Sequence, residues 1–196
     1  MDQSVLDAVK RWPDVPVVYG WLSLTARGEW KLHPLGDAQL GGAGQGITNT
    51  QILGFIGRNY ASQVDGAWFF QNGPQRVYVE LEATPFIART DPAHQFVLHD
   101  GEAMTDVDDI CLTDKGQLVL SNANQIAMLD DRDLAQCLPL LKKKGHVIDD
   151  SQLMQWLDSP DESLSMTILE KDIPVRWLRS DDVAARFGFI KHPLPL

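Results

Sequence analysis

The chain has 196 residues, of which 44% are hydrophobic and 22% charged, and 27 acidic residues against 17 basic ones give a formal net charge of −10. This composition predicts a folded, soluble protein and excludes a disordered or low-complexity chain. The negative charge argues against nucleic acid and anionic membranes as partners, because both repel a protein of the same sign.

The ends of the chain and its cysteines predict a cytoplasmic protein. Residues 1–4 lack the basic and apolar runs of a signal peptide, and no window approaches the roughly 20 apolar residues of a membrane span. Cys111 and Cys137 lie far apart within apolar runs. They are therefore expected to be buried free thiols rather than a disulfide or zinc ligands.

The first half alternates helices and hairpins. A short helix is predicted over 4–11, followed by a hairpin over 17–32 that turns at Gly28. The glycine-rich segment 36–46 predicts a mobile loop. An apolar stripe of Ile52, Phe55 and Ile56, joined by Tyr60, predicts a helix over 47–61, and a second hairpin follows over 67–81.

The second half begins after a polar joint at 90–94, so the predicted domains are 1–91 and 92–196. Three strands follow, over 109–113, 118–120 and 125–129, and then a helix over 132–144 that Pro139 kinks. Lys142, Lys143 and Lys144 are expected to stabilise the negative end of that helix. A helix over 151–157, strands over 166–169 and 175–178, and a helix from Asp181 complete the prediction.

The predicted fold class is α+β, with two similar hairpin-rich halves whose antiparallel sheets are each covered by a helix. Residues 22–32 and 110–120 match in type at six of eleven positions, including the Leu-Thr pair and the turn glycine. An internal duplication would explain this similarity. A chance match would also explain it, because both hairpins need the same residue types at their turns.

One stretch resembles two groups of uncharacterised bacterial proteins. The sequence Trp-Phe-Phe-Gln-Asn-Gly-Pro-Gln-Arg-Val at 68–77 is similar to a small proteobacterial group of unknown function. The order hairpin, helix, hairpin, with an acidic-Ala-Thr-Pro-Phe ending at 82–86, resembles a second, more distant family of unknown function. That resemblance implies an α+β fold with repeated motifs and a suggested role in signal transduction, and it supplies no catalytic residue.

Aromatic and hydrogen-bonding side chains concentrate around the second hairpin, which makes it the preferred ligand-binding region. Arginine offers a forked donor for an anionic ligand, and aromatic rings offer a stacking surface. The alternative is that the rings belong to the core and the arginines pair with Asp65, Glu80 or Glu82. The candidate residues are Arg58, Asn59, Trp68, Gln71, Arg76 and Tyr78.

A group of aspartates in the second half is the weaker candidate, since clustered carboxylates can hold a divalent cation. The candidate metal ligands are Asp106, Asp108, Asp109, Asp130 and Asp131. Solvated turns and a helix cap explain these residues more simply, and no metal or other cofactor is predicted. His33, His146 and His192 are scattered, and no Gly-x-Ser-x-Gly motif is present.

The function is therefore unknown from sequence. A non-enzymatic regulatory module that binds a small molecule or a protein is favoured, and its exposed strand edges would suit a homodimer. The alternative is a metal-assisted hydrolase that uses the second-half aspartates with His94 or His99.

Overall fold

A computed structural model describes residues 1–93, 95–161 and 163–195, and these confirm the α+β class. The described residues form five α-helices and two sheets, of six and nine strands. The chain divides into two compact units: unit 1 comprises residues 1–85 and 187–196, and unit 2 comprises residues 86–186. The division into an N-terminal domain over 1–91 and a C-terminal domain over 92–196 stays a prediction.

Unit 1 contains a six-stranded mixed sheet with the strand order β3-β2-β1-β6-β5-β4. All neighbouring strands are antiparallel except β1 and β6, which are parallel. Its elements are α1 (Gln3–Arg11), β1 (Val18–Leu24), β2 (Trp30–Leu32), a 3₁₀ helix (Ala38–Leu40), β3 (Gln45–Gly46), α2 (Thr50–Arg58), β4 (Tyr60–Ser62), β5 (Trp68–Asn72) and β6 (Gln75–Leu81).

Helix α2 is shorter than the sequence predicts. Its first turn is capped by Asn49, whose side chain accepts hydrogen bonds from two backbone N–H groups. It ends at Arg58, because Tyr60 enters β4 and pairs with Phe70 instead of extending the apolar stripe. Phe55 of the helix packs edge-on against Phe70, at 5.5 Å between ring centroids, and so fixes α2 on the sheet.

Unit 2 contains a nine-stranded mixed sheet with the order β13-β12-β14-β15-β9-β10-β11-β7-β8. Its parallel pairs are β15 with β9 and β11 with β7. Its elements are β7 (Phe86–Asp91), β8 (Gln95–Leu98), β9 (Asp109–Thr113), β10 (Leu118–Ser121), β11 (Ile126–Leu129), a 3₁₀ helix (Asp131–Asp133), α3 (Leu134–Cys137), a 3₁₀ helix (Leu138–Leu140), β12 (Leu141–Lys143), β13 (His146–Val147), α4 (Asp150–Asp158), β14 (Leu164–Ile168), β15 (Lys171–Leu178), a 3₁₀ helix (Ser180–Asp182) and α5 (Val183–Phe187).

The helix predicted over 132–144 is wrong. Pro139 has no N–H group to continue an α-helix, so α3 is a single turn followed by a 3₁₀ turn. Strand β12 then pairs with β14. Lys142 and Lys143 therefore lie on a strand, where they face Asp172 at 3.3 Å and Asp161 at 3.6 Å, and not at a helix end.

The two units repeat one strand order. Numbered along the chain, β1–β6 of unit 1 correspond to β9, β10, β11, β12, β14 and β15 of unit 2. In both sets the order is third, second, first, sixth, fifth, fourth, and the first and sixth strands are parallel. Strands β7, β8 and β13 and helix α4 lie outside this repeat.

The repeat extends to the hydrogen bonds of the first hairpin. Leu22 pairs with Leu32 in unit 1 as Ile110 pairs with Leu120 in unit 2. In both turns a threonine hydroxyl accepts from the backbone N–H groups two and four residues later, and a glycine follows with positive φ. The agreement in topology and turn favours a duplicated unit over coincidence.

No helix in the described part of the chain is long and apolar enough to cross a lipid bilayer.

Candidate functional site

Arg58 and Asn59, two of the predicted ligand-binding residues, hold the beginning of the chain. The guanidinium of Arg58 lies 3.1 Å from the Asp2 carboxylate and, through that hydrogen bond, lowers the pKa of Asp2. Asn59 is fully buried; its side-chain oxygen accepts from the Asp2 N–H at 2.8 Å, and its amide donates to the Phe55 carbonyl at 2.9 Å. Both residues thus connect the start of α1 to the end of α2.

Gln71 and Arg76 lie opposite each other on β5 and β6. The buried amide of Gln71 donates to the Gly73 carbonyl at 3.0 Å. The guanidinium of Arg76 lies over the Phe69 ring, 4.1 Å from its centroid, and its Nε donates to Gln71 at 3.5 Å. This cation–π contact and the hydrogen bonds brace the hairpin.

Trp68 and Tyr78 are both buried. Trp68 packs at a tilt against Tyr60, and Tyr78 stacks on Tyr19 with 4.5 Å between centroids and donates its hydroxyl proton to Gln63 at 2.8 Å. None of the six predicted ligand-binding residues lines either of the two cavities described below. Their role in binding a ligand stays a prediction.

The predicted metal-binding aspartates are held partly by arginines. Asp109 lies 2.8 Å from Arg186 and 3.6 Å from Arg176. The fully buried Asp130 pairs with Arg132, whose hydrogen bond lowers the pKa of the carboxyl well below its usual range, and with Arg89 at 3.3 Å.

Within residues 1–93, 95–161 and 163–195, no group of three or more His, Cys, Asp or Glu side chains lies close enough together to hold a metal ion. His94 lies outside the described residues. His99 is half-buried, and the loss of solvent around its ring lowers its pKa to about 4. It is therefore neutral at physiological pH.

A different set of residues lines a cavity of about 470 Å³ in unit 1, which we call the polar cleft. It combines the sheet, the glycine-rich segment after β2 and the C-terminal segment of the chain. Its lining residues are Ser23, Lys31, His33, Ala38, Gln39, Gly41, Gly42, Glu80, Leu81, Glu82, His192 and Leu194.

Three polar residues cross the floor of the polar cleft in one row. Ser23 on the central strand β1 pairs with Lys31 on β2 and with Glu80 on β6. Residues that pair directly on neighbouring strands project from the same face of the sheet, with Cβ atoms about 5 Å apart. A cation, a hydroxyl and a carboxylate are therefore presented side by side.

A serine, a histidine and an aspartate form a chain of contacts beside this row. Ser23 Oγ lies 2.9 Å from His33 Nε2, and both residues are buried. His33 Nδ1 lies 3.4 Å from Asp37 Oδ1. The His33 N–H donates to the Trp21 carbonyl, and the Gly36 N–H donates to the His33 carbonyl, which closes the turn that brings Asp37 back to the ring.

The glycine-rich segment after β2 is shaped around this histidine and aspartate. A Cβ atom at Gly42 would lie 2.3 to 2.5 Å from the Asp37 carboxyl group, and one at Gly44 would lie 2.7 to 2.8 Å from the His33 ring. No real Cβ atom approaches so closely, and Gly44 also has φ of +63°. Side chains at these two positions would displace the pair.

Glu80 forms the other end of the cleft. One of its carboxylate oxygens, Oε1, contacts His192 Nδ1. The other, Oε2, is buried and has no hydrogen-bond donor among the residues that the structure describes. The C-terminal segment is fixed beside it, since the Lys191 carbonyl accepts from the Leu81 N–H at 2.9 Å and the Pro193 carbonyl accepts from the Gln39 side chain.

Comparisons with known proteins identify the family without giving it a function. The DUF2944 family model, whose description reads protein of unknown function (DUF2946), matches residues 1–194. The chain belongs to the DUF2944 family. This confirms the predicted membership of an uncharacterised family, and no curated protein matches this DUF2944 chain.

Two solved structures of DUF1285 family proteins are similar to the DUF2944 chain. The one from Silicibacter pomeroyi DSS-3 is 12% identical, covers 86% of each chain and has a TM-score of 0.50. The one from Shewanella baltica OS155 is 16% identical, covers 58% of this chain and 86% of its own, and has a TM-score of 0.40. At this identity, the first match shows the fold alone.

The DUF2944 scaffold does not itself require the polar row. At the equivalent positions of the repeat, unit 2 carries Cys111 for Ser23, Val119 for Lys31 and Arg176 for Glu80. Burial raises the pKa of the Cys111 thiol to about 11. The same strand order thus forms without a serine–histidine pair, which indicates that unit 1 keeps this pair for a different reason.

The polar row was missed in the sequence although a signal for it exists. The turn at Gly28 fixes the hairpin register, which pairs Ser23 with Lys31 and leaves His33 two residues further along the same face. Such diagonal neighbours are within reach of long or aromatic side chains. The histidines are scattered along the sequence, and the position of His33 beside Ser23 emerges only when the two strands of the hairpin are paired in this register.

The opposite face of the sheet carries a second cavity, of about 590 Å³, which we call the apolar cleft. Leu22 lines it, while its neighbour Ser23 points to the polar cleft, as alternation along a strand requires. Its lining residues, none of them charged, are Val18, Trp21, Leu22, Leu32, Ile47, Ile52, Phe55, Ile56, Phe70, Asn72, Gln75 and Val77.

Proposed function

We propose that this DUF2944 protein is a ligand-binding module whose polar cleft binds a small molecule that offers a hydrogen-bond donor to Glu80. The observation that carries the proposal is the buried Oε2 atom of Glu80, which lacks a donor among the described residues. A buried acceptor left unsatisfied costs about 1–3 kcal/mol. A ligand that donates to this atom recovers that energy when it binds.

The shape and charge of the polar cleft support a small cationic or hydroxylated ligand. Its volume of about 470 Å³ suits a small molecule. Glu80 and Glu82 place two carboxylates along one wall, and Lys31 contributes one ammonium. A carboxylate ligand would be repelled by that wall, whereas an amine or amino alcohol would be attracted to it.

The proposal is tested by thermal unfolding in the presence of small alkyl amines and amino alcohols, with alkyl carboxylates of the same length as the comparison set. We expect amines to raise the Tm by several degrees at millimolar concentration, because a ligand that binds only the folded state stabilises it. Glu80→Gln should abolish the shift, and Glu170→Gln, on an exposed residue of unit 2, should retain it. Equal shifts in both variants would contradict the proposal.

We also propose that the protein is cytoplasmic, that it has a regulatory role in signalling and that it forms a homodimer. The apolar cleft supports the homodimer, since Trp21, Leu32 and Ile52 at its border are 47%, 42% and 49% exposed. Contiguous exposed apolar surface of this kind marks interaction sites. A regulatory module of this design would bind its ligand on one face of the sheet and its partner on the other.

A further inference from the structure

We propose that the polar cleft also hydrolyses small esters, with Ser23 as the nucleophile and His33 as the general base. The substrate class rests on the proposed function, because Glu80 would bind the amine or hydroxyl group of the ester. The acyl group would then lie over Ser23, one strand away from Glu80.

The connectivity of the three residues is that of a nucleophilic triad. Ser23 Oγ contacts the Nε2 atom of His33, and Asp37 contacts the Nδ1 atom of the same ring, so the two contacts use opposite ring nitrogens. This is the arrangement in which a base activates a hydroxyl while a carboxylate orients the base. His33 Nδ1 is buried and makes no hydrogen bond to the described residues, although Asp37 Oδ1 lies 3.4 Å away. The triad therefore requires this separation to shorten when substrate binds, as catalytic hydrogen bonds commonly do.

Burial and space strengthen the assignment. Ser23 and His33 are 6% and 2% exposed, yet both line the cavity, so the hydroxyl is held in place by its neighbours and still faces the space that a small substrate would enter. Gly42 and Gly44 leave room for Asp37 and the His33 ring, and a Cβ atom at either position would push these side chains from their places. The equivalent hairpin in unit 2 folds with Cys111 in place of Ser23, so the contact is not needed for the scaffold.

The reaction proceeds in two steps. Ser23 Oγ bonds to the ester carbonyl carbon while His33 Nε2 takes the hydroxyl proton; the C–O bond to the alcohol then breaks, and the alcohol leaves with that proton. Water next attacks the acyl-serine, again losing its proton to His33, and releases the carboxylic acid and the free serine. Lys31, paired with Ser23, supplies positive charge for the oxyanion of each step. Asp37 is a positioning residue.

The first test is covalent labelling with a fluorophosphonate, which reacts preferentially with activated serines, read by intact-protein and peptide mass spectrometry. We expect one adduct on Ser23, none in Ser23→Ala, and an unchanged adduct in Ser121→Ala. Ser121 is a matched control, since it is 6% exposed, lies on a strand of unit 2 and is not one of the residues that line the cleft. An unlabelled protein, or an adduct at another residue, would overturn the assignment.

The second test uses p-nitrophenyl acetate and does not depend on Ser23→Ala folding. Asp37→Asn should lower kcat by about 10²-fold or more with little change in KM, because it disturbs the base and not the binding of substrate. Thermal unfolding within a few degrees of the unchanged protein shows that the variant is folded. An unchanged kcat in Asp37→Asn would remove it from the mechanism and refute the triad.

The two proposals fail separately. Labelling of Ser23 without any amine-dependent rise in Tm would retain the nucleophile and refute the ligand-binding role of Glu80. A Glu80-dependent rise in Tm without labelling would retain the binding module and refute hydrolysis.

Discussion

Asp130 is the most completely buried charged residue among the described residues of unit 2. Its burial leads us to expect that the free energy of unfolding depends on pH in the acidic range. Its carboxylate is held by Arg132 and Arg89, whose side chains are about half exposed. The pKa of Asp130 is thereby lowered in the folded state, so its stabilising effect is complete above the ordinary Asp value of about 4 and is lost as pH falls through the folded value. We expect Asp130→Asn to cost about 2 kcal/mol at pH 7, less than a fully buried pair because the arginines remain solvated.

Urea unfolding at several pH values measures this effect. The difference in unfolding free energy between the unchanged protein and Asp130→Asn should be constant from pH 7 to about pH 5 and should shrink below about pH 4. Asp106→Asn, which changes an exposed aspartate of the same unit, should differ little at any pH. A difference that persists undiminished at pH 2 would show that packing, and not charge, explains the loss.

The glycines in the segment between β2 and α2 differ in their surroundings. We therefore expect alanine substitutions at these glycines to differ in their effect on stability. At Gly42 a Cβ atom would collide with the Asp37 carboxyl group. Gly42→Ala should therefore lower the unfolding free energy by about 0.5–1.5 kcal/mol, the usual cost of turning a side chain such as Asp37 away from its preferred rotamer. The measurement is denaturant unfolding at pH 7.

Gly46 is the matched control in the same segment. A Cβ atom there meets nothing within 4 Å, and its φ is not positive. Gly46→Ala should change the unfolding free energy by less than about 0.5 kcal/mol. Similar losses at positions 42 and 46 would mean that the segment tolerates no side chain at all, which contradicts its packing around Asp37.

Sequence patterns predict helices and strands correctly where the signal is local. The hairpins around Gly28 and Gly116 are predicted correctly because strand alternation and turn glycines are read within a dozen residues. The position of Tyr60 is not predicted correctly. Its spacing in the sequence suits a helix, whereas the sheet places it on β4 opposite Phe70. The β-bridge between Ala67 and Ile190 joins segments far apart in sequence, so no local sequence pattern predicts it.

For the molecule as a whole, the repeat separates what the scaffold needs from what the site adds. Both units keep the apolar pairs of the first hairpin and the threonine that closes its turn. Only unit 1 places a hydroxyl, an ammonium and a carboxylate in one row on that framework. The polar row is therefore not part of what the shared strand order requires, which agrees with the binding role proposed for unit 1.

The apolar cleft and the net charge of the chain act in opposite directions on self-association. The apolar cleft has no charged lining residue, so burying it between two copies costs no unpaired charge. The net charge of −10 opposes association at long range, and this repulsion weakens as salt rises. We therefore expect light scattering during size exclusion to give twice the monomer mass of 21.9 kDa at high protein concentration, and more dimer at higher salt.

Trp21→Glu places a charge at the exposed border of the apolar cleft and should restore the monomer, whereas Trp12→Glu should not, although Trp12 is similarly exposed at the end of α1. Because an isologous interface repeats each residue on both copies, the single change introduces two like charges across it. A monomer at every concentration and salt, or equal effects of the two variants, would show that the apolar cleft is not the surface on which this protein meets its own copy.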